Sequence, residues 1–134
     1  TKIRTHFEAA AKAWSMSLRS IDYIKSKGVY DNKPEEKKVI EEREVKENLN
    51  AAMAQIKLKG WQAAIKHCDA ALKIDPSNEK GFWRKAKAQC EWGRYKEALA
   101  TLKELLERHP DHEEGIKLLK RTEEAQRRAA VTWT

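Results

Sequence analysis

Apolar and small residues in this chain fall on helical spacings, and the positions between them are largely charged. Trp61, Ala64 and Leu72 stand at i, i+3 and i+11, one face of an α-helix. Tyr95, Ala98 and Leu106 repeat that spacing, and Phe7, Ala10 and Leu18 repeat it again. Only 5 Gly and 3 Pro interrupt the sequence, so long helices are expected. The pattern predicts an all-α chain with helices over about 2–27, 34–59, 61–74, 79–92, 95–108 and 112–129, and a frayed "VTWT" end. Pro34 suits the first turn of the second helix, with Asp31 or Asn32 as its cap. Ser77 or Asn78 is expected to cap the fourth helix, and Asp111, with Glu114 three positions on, the sixth.

The pattern also recurs at a fixed period. Trp61 and Tyr95, Ala64 and Ala98, Leu72 and Leu106, Pro76 and Pro110, and Gly81 and Gly115 are all separated by the same interval in the numbering. The small residue lets paired helices approach closely, the aromatic fills the wedge between them, and the proline ends the helix before it. That interval, about 34 residues, is the length of a tetratricopeptide repeat. An aromatic, a small residue three later and a proline twelve beyond that resemble the second half of such a repeat. The resemblance implies a right-handed superhelical stack of antiparallel helix pairs, forming one domain over 1–134. Residues 1–27 would be the remnant of repeat one, 34–76 repeat two with a lengthened first helix, 79–110 repeat three, and 112–130 a capping helix. That last segment keeps Ile116 and Leu119 for packing and is otherwise polar, as the end of a solenoid requires.

Phe7 and Trp61 stand further apart than one period, by more than half of another, so the helices flanking a loop near 28–33 are lengthened. The chain starts without Met and reads as a piece of something longer, with the first helix of repeat one falling before Thr1. "IRTHFEA" carries no Gly or Pro, so residues 1–27 are expected to form one continuous helix. Its apolar face, with Phe7, Trp14 and Leu18, is a candidate for pairing two copies into a homodimer.

Charge narrows the function classes. The formal net charge of +7 favours an acidic partner: nucleic acid, an anionic membrane or an acidic peptide. No apolar stretch approaches the ~20 residues that span a bilayer. The five Trp come without an RNP-like motif or a Gly-rich loop. Neither membrane nor nucleic acid is therefore the expected partner. Cys68 and Cys90 lack CxxC spacing and read as buried thiols of a cytoplasmic protein. His109 and His112 flank a helix break without further ligands nearby, so no metal or cofactor is expected. His67 is assigned to the surface of an outer helix. No nucleophile–base pair, carboxylate pair or phosphate loop emerges, which points to a binding module rather than an enzyme.

In a tetratricopeptide stack the first helix of each repeat lines a concave groove. Asn50 and Lys57 are seven apart on one such helix, and Lys80 and Arg84 four apart on the next. Asn50 and Arg84 are separated by one period and so share a register. An amide, two ammoniums and a guanidinium are thus expected to converge. That donor set suits a carboxylate, because Arg offers a planar fork, Lys a mobile charge and Asn an N–H. Capture of a C-terminal carboxylate is one recognised mode of peptide binding.

The run "NLNAAMAQIKLKGWQAAIKHCDAALKIDPSNEKGFWRKAKAQCEWGRYKEAL" resembles the tetratricopeptide domain of large FKBP-type immunophilin co-chaperones, which are peptidyl-prolyl isomerases. The resemblance implies binding of the Glu-Glu-Val-Asp tail of 90-kDa or 70-kDa heat-shock chaperones through a carboxylate clamp. Asn50, Lys80 and Arg84 match clamp positions and Lys57 an accessory one. The family's remaining clamp residues, a Lys and an Asn, would lie on the helix expected before Thr1, so weak tail binding is expected of this chain alone. A stack binding a different client through its groove is the alternative.

Overall fold

In a computed structural model, which describes residues 1–133, the chain folds into six helices: α1 (Lys2–Ser26), α2 (Pro34–Lys57), α3 (Trp61–Ile74), α4 (Glu79–Glu91), α5 (Tyr95–Arg108) and α6 (Glu113–Trp133). No strand occurs among the described residues. Each helix packs on the next in sequence, and α2 also touches α4, as α4 touches α6. The odd-numbered helices thus form an outer row behind a contiguous inner row of α2, α4 and α6. Among the described residues no helix is long and apolar enough to cross a membrane.

The core explains the periodic residues. Ala64, Ala98, Ala86 and Ala88 are completely buried, as close helix approach demands. Leu102 and Leu105 of α5 join Phe82 and Ala86 of α4 and Leu118 of α6 in one cluster. Val45 and Leu49 of α2 meet Ala71 of α3 with Ile74 alongside, and Ile56, Ala64 and Ala88 form a third cluster flanked by Trp61 and Ile65. The glycine pair has a steric cause. A Cβ on Gly81 would stand 2.9 Å from Leu72 Cδ2, and one on Gly115 2.9 Å from Leu105 Cδ2.

The period extends to the caps, though not through every residue the sequence suggested. Asn78 caps α4, its side-chain oxygen accepting from Gly81 N at 2.9 Å. His112, one period on, does the same for α6: its Nδ1 accepts from Gly115 N at 2.9 Å. The imidazole therefore replaces the expected Asp111. At α2 neither Asp31 nor Asn32 caps. Lys33 is the N-cap, non-helical (φ −129°, ψ 81°) and without a side-chain bond, kept out of the α region as a residue before proline tends to be. Residues 2–26 do form one unbroken helix, and α6 runs on through 131–133 instead of fraying; Thr134 lies outside the described residues.

Lys59 occupies the left-handed region (φ 63°), where its repeat counterpart is Gly93 (φ 84°). The adjacent Gly60 is not left-handed (φ −86°). An L-residue in this conformation carries strain of roughly 1–2 kcal/mol, part of which glycine gives back as unfolded-state entropy. Lys59→Gly is expected to stabilise the chain by about 1 kcal/mol, read as a higher urea midpoint. An unchanged or lower midpoint would contradict this.

The lengthened α1–α2 hairpin is tied by polar contacts. Lys25 Nζ meets the buried Glu44 Oε2 at 2.9 Å, and the ammonium's pKa is raised, chiefly by that hydrogen bond. His67 is not at the surface, as sequence suggested, but half-buried where α1, α2 and α3 meet. Its Nδ1 lies 2.9 Å from Oδ1 of the buried Asn48, whose amide nitrogen donates to Glu44 O. The amide oxygen therefore accepts, and the ring carries its proton on Nδ1. Burial lowers the His67 pKa below its usual value. The unfolded chain then binds this proton more readily than the folded one, so stability falls as pH drops below about 6.5. We expect a lower urea midpoint at pH 5 than at pH 7, and a shallower decline in His67→Gln. An equal decline in that variant would assign the effect elsewhere.

Candidate functional site

The inner row is where the sequence placed its candidate residues. Along α2, Val45, Lys46, Leu49 and Asn50 fall at i, i+1, i+4 and i+5, so they share one face. That face meets the start of α4 and the loop before it. Together they enclose an open cleft of about 590 Å³, lined among others by Lys46, Asn50, Ser77, Lys80 and Arg84. Asn50, Lys80 and Arg84 therefore open into one hollow. Lys57 does not line it. It is exposed in the last turn of α2, about 10 Å further along the same helix.

Arg84 is the most constrained of these groups. It is half-buried, and its Nη1 donates to the Leu49 carbonyl oxygen of α2 at 2.8 Å. That bond fixes the guanidinium across the α2–α4 contact and uses one of its five N–H groups. No carboxylate pairs with it among the described residues. Desolvation accordingly lowers its pKa from the usual value. A half-buried cation whose hydrogen-bond partner is a neutral carbonyl remains uncompensated, and an anion in the cleft would remove that cost. Asn50, one turn after Lys46 and in register with Arg84, is half-buried beside it.

The lining is formally balanced, with Glu42, Asp75 and Glu79 against Lys46, Lys80 and Arg84. The two signs differ in how far their groups are already hydrogen-bonded. Asp75 Oδ2 accepts from Asn78 Nδ2 at 3.0 Å. Glu79 Oε1 lies 2.9 Å from His109 Nδ1, while the other ring nitrogen of His109 lies 2.6 Å from Ser77 O. Both partners are acceptors, so both contacts are donated only by the doubly protonated ring. Lys46 and Lys80, in contrast, are exposed and have no ion-pair partner among the described residues. Two of the three carboxylates already hold a local hydrogen-bond partner, whereas the two ammoniums hold no ion-pair partner among the described residues and are the groups left to meet a ligand.

Lys46 is the residue that sequence inspection missed. Its signal was present, because Lys46 and Lys80 are separated by the same period that relates Asn50 to Arg84. Other candidate chemistry does not converge on this site. The Cys68 thiol is completely buried and its pKa is pushed up to about 12, chiefly by desolvation, which keeps it from acting as a thiolate. No group of three or more His, Cys, Asp or Glu suited to a metal ion occurs among the described residues.

Comparison with known proteins agrees with this architecture. A profile of the tetratricopeptide repeat matches residues 55–122. Mouse sperm-associated antigen 1 is 35% identical over 74 residues, covering 55% of this chain and 8% of that protein. Human peptidyl-prolyl cis-trans isomerase FKBP4 is also 35% identical, over 65 residues, covering 48% of this chain and 14% of that protein. The chain thus spans a small part of these relatives. The NMR structure of the second TPR domain of human RPAP3, in complex with the HSP70 peptide SGPTIEEVD, superposes with a TM-score of 0.57 at 21% identity, covering 84% of this chain and 98% of that one. That likeness is one of fold.

Proposed function

The chain belongs to the tetratricopeptide repeat family, a protein-interaction module and not a catalytic one, and on that premise we propose that its cleft binds the acidic C-terminal tail of a heat-shock chaperone. The observation that carries this reading is the half-buried Arg84 guanidinium, which has no anionic partner among the described residues, beside Asn50 and the ammonium of Lys80, likewise unpaired among them. A C-terminal carboxylate is the complementary ligand: Arg84 and Asn50 donate to its oxygens, and Lys80 neutralises an adjacent acidic side chain. The peptide in the RPAP3 complex ends in Glu-Glu-Val-Asp, a tail of this chemistry. Titration of the chain with that nonapeptide should give a Kd of about 1–100 μM, weakened about threefold to fivefold by Lys80→Ala, the range of a solvent-exposed ion pair. Unaltered binding by Lys80→Ala would remove Lys80 from the site.

A finer part of the proposal is that the module serves a co-chaperone in the cytoplasm. The identity to FKBP4 supports an isomerase as the attached protein, and the equal identity to sperm-associated antigen 1 supports a non-isomerase adaptor. Tail binding is common to both versions.

A second reading is pairing of two copies through α1. The residues expected to form that face, Phe7, Trp14 and Leu18, are half-buried on the stripe that carries the buried Ile21. An exposed stripe without charge lies elsewhere on α1, at Ala9, Ala13, Met16 and Ser20, which fall at i, i+4, i+7 and i+11. Light scattering at high micromolar concentration decides it: a dimer mass supports pairing, and a monomer mass refutes it.

A further inference from the structure

We propose that Lys46 determines the specificity of the cleft by reading an acidic side chain two positions upstream of the terminal carboxylate. This deepens the tail-binding reading and rests on it. Lys46 and Asn50 on α2 repeat the spacing of Lys80 and Arg84 on α4, one helical turn in each case and in the same register of the repeat. All four line the cleft. The pairs divide by depth. Asn50 and Arg84 are half-buried, whereas Lys46 and Lys80 are exposed. The site therefore has an inner row made of an amide and a guanidinium, and an outer row of two ammoniums, one on each wall.

The spacing between rows sets a ruler. One such step along a helix rises about 6 Å, and an extended peptide advances about 3.3 Å per residue. A tail whose terminal carboxylate rests on the inner row carries its residue two positions upstream to the outer row. In Glu-Glu-Val-Asp that residue is the Glu preceding Val. Lys46 is free to meet it, since it has no ion-pair partner among the described residues, and Glu42, one turn earlier on α2, does not engage it. Lys80 differs from Lys46 in that its neighbour Glu79 is occupied by His109. The outer row thus offers two ammoniums to one passing carboxylate, and a tail with a neutral residue there forfeits the contact.

The test is a double-mutant cycle on the whole chain, using free-acid nonapeptides that end Glu-Glu-Val-Asp or Glu-Gln-Val-Asp. Lys46→Gln is expected to weaken binding of the first by about threefold to fivefold, the range of a solvent-exposed ion pair, and of the second by less than about 1.5-fold. Equal losses for both peptides would mean that Lys46 contributes only diffuse charge, and no loss for either would remove it from the site; both overturn the proposal. Binding of both peptides that is lost in Arg84→Glu but uniform in Lys46→Gln sinks this inference and spares the tail-binding reading. Failure of the unaltered chain to bind either peptide sinks both.

Discussion

Arg84→Glu is expected to weaken binding of a free-acid Glu-Glu-Val-Asp peptide at least about a hundredfold, the largest functional effect of any single change in the cleft. Truncating one partner of a desolvated, hydrogen-bonded charge pair costs about 2–5 kcal/mol. Charge reversal adds repulsion against the same carboxylate. The Arg84 side chain reaches α2 through its 2.8 Å bond to Leu49 O, so the substitution also releases a contact between neighbouring inner helices. Arg84→Lys separates the two roles. It keeps a positive charge but loses the planar fork, and intermediate affinity is expected. Fluorescence anisotropy with a labelled peptide reads both variants. Binding by Arg84→Glu within threefold of the unaltered chain would exclude Arg84 from the site.

Leu102→Ala should give the largest loss of stability, about 2–5 kcal/mol. Leu102 is completely buried and sits where α4, α5 and α6 share one cluster with Phe82, Leu105 and Leu118. The methyl groups removed leave a cavity walled by three helices, and small-domain stabilities of about 5–15 kcal/mol offer little reserve. Because each repeat contacts only its neighbours, loosening α4–α5–α6 also withdraws support from the α4 wall of the cleft. Urea unfolding followed by circular dichroism should show a lower midpoint with an unchanged slope. A loss below about 1 kcal/mol, less than a buried leucine in a packed junction costs, would mean that the cluster does not carry it.

Much of this fold could be read from the residues, because its constraints are local and repeated. The spacing of Trp61, Ala64 and Leu72, echoed at Tyr95, Ala98 and Leu106, fixes helix faces, and Pro76 and Pro110 follow two positions after α3 and α5 end. Clear sequence signals were available for Asn50, Lys80 and Arg84, since register alone brings them to one hollow. What escaped depends on local geometry or on neighbouring helices that residue type alone does not reveal. His67 looks like an outer-helix surface residue until α1 packs beside it and Asn48 of α2 meets its ring. His112 takes the cap expected of Asp111, because in the register of the repeat it, and not Asp111, occupies the place of Asn78. Lys59 takes the left-handed turn while the adjacent Gly60 does not, and a Cβ on that glycine would stand 2.3 Å from Gln55 Oε1. Lys46 is legible through the period, yet it lies in a run of mixed charges that masks it. Lys57 shares a helix with Asn50 but stands about 10 Å further along it and does not line the cleft.

Capture of a free chain end by Arg84 and Asn50 is the central claim, and C-terminal amidation addresses it most directly. Amidation removes one negative charge and replaces a carboxylate oxygen with a donor while leaving every side chain of the peptide in place. Calorimetric titration of the chain with the free-acid and amidated forms of SGPTIEEVD should show micromolar binding for the acid and at least about tenfold weaker binding for the amide. Equal affinity for the two forms would contradict the account.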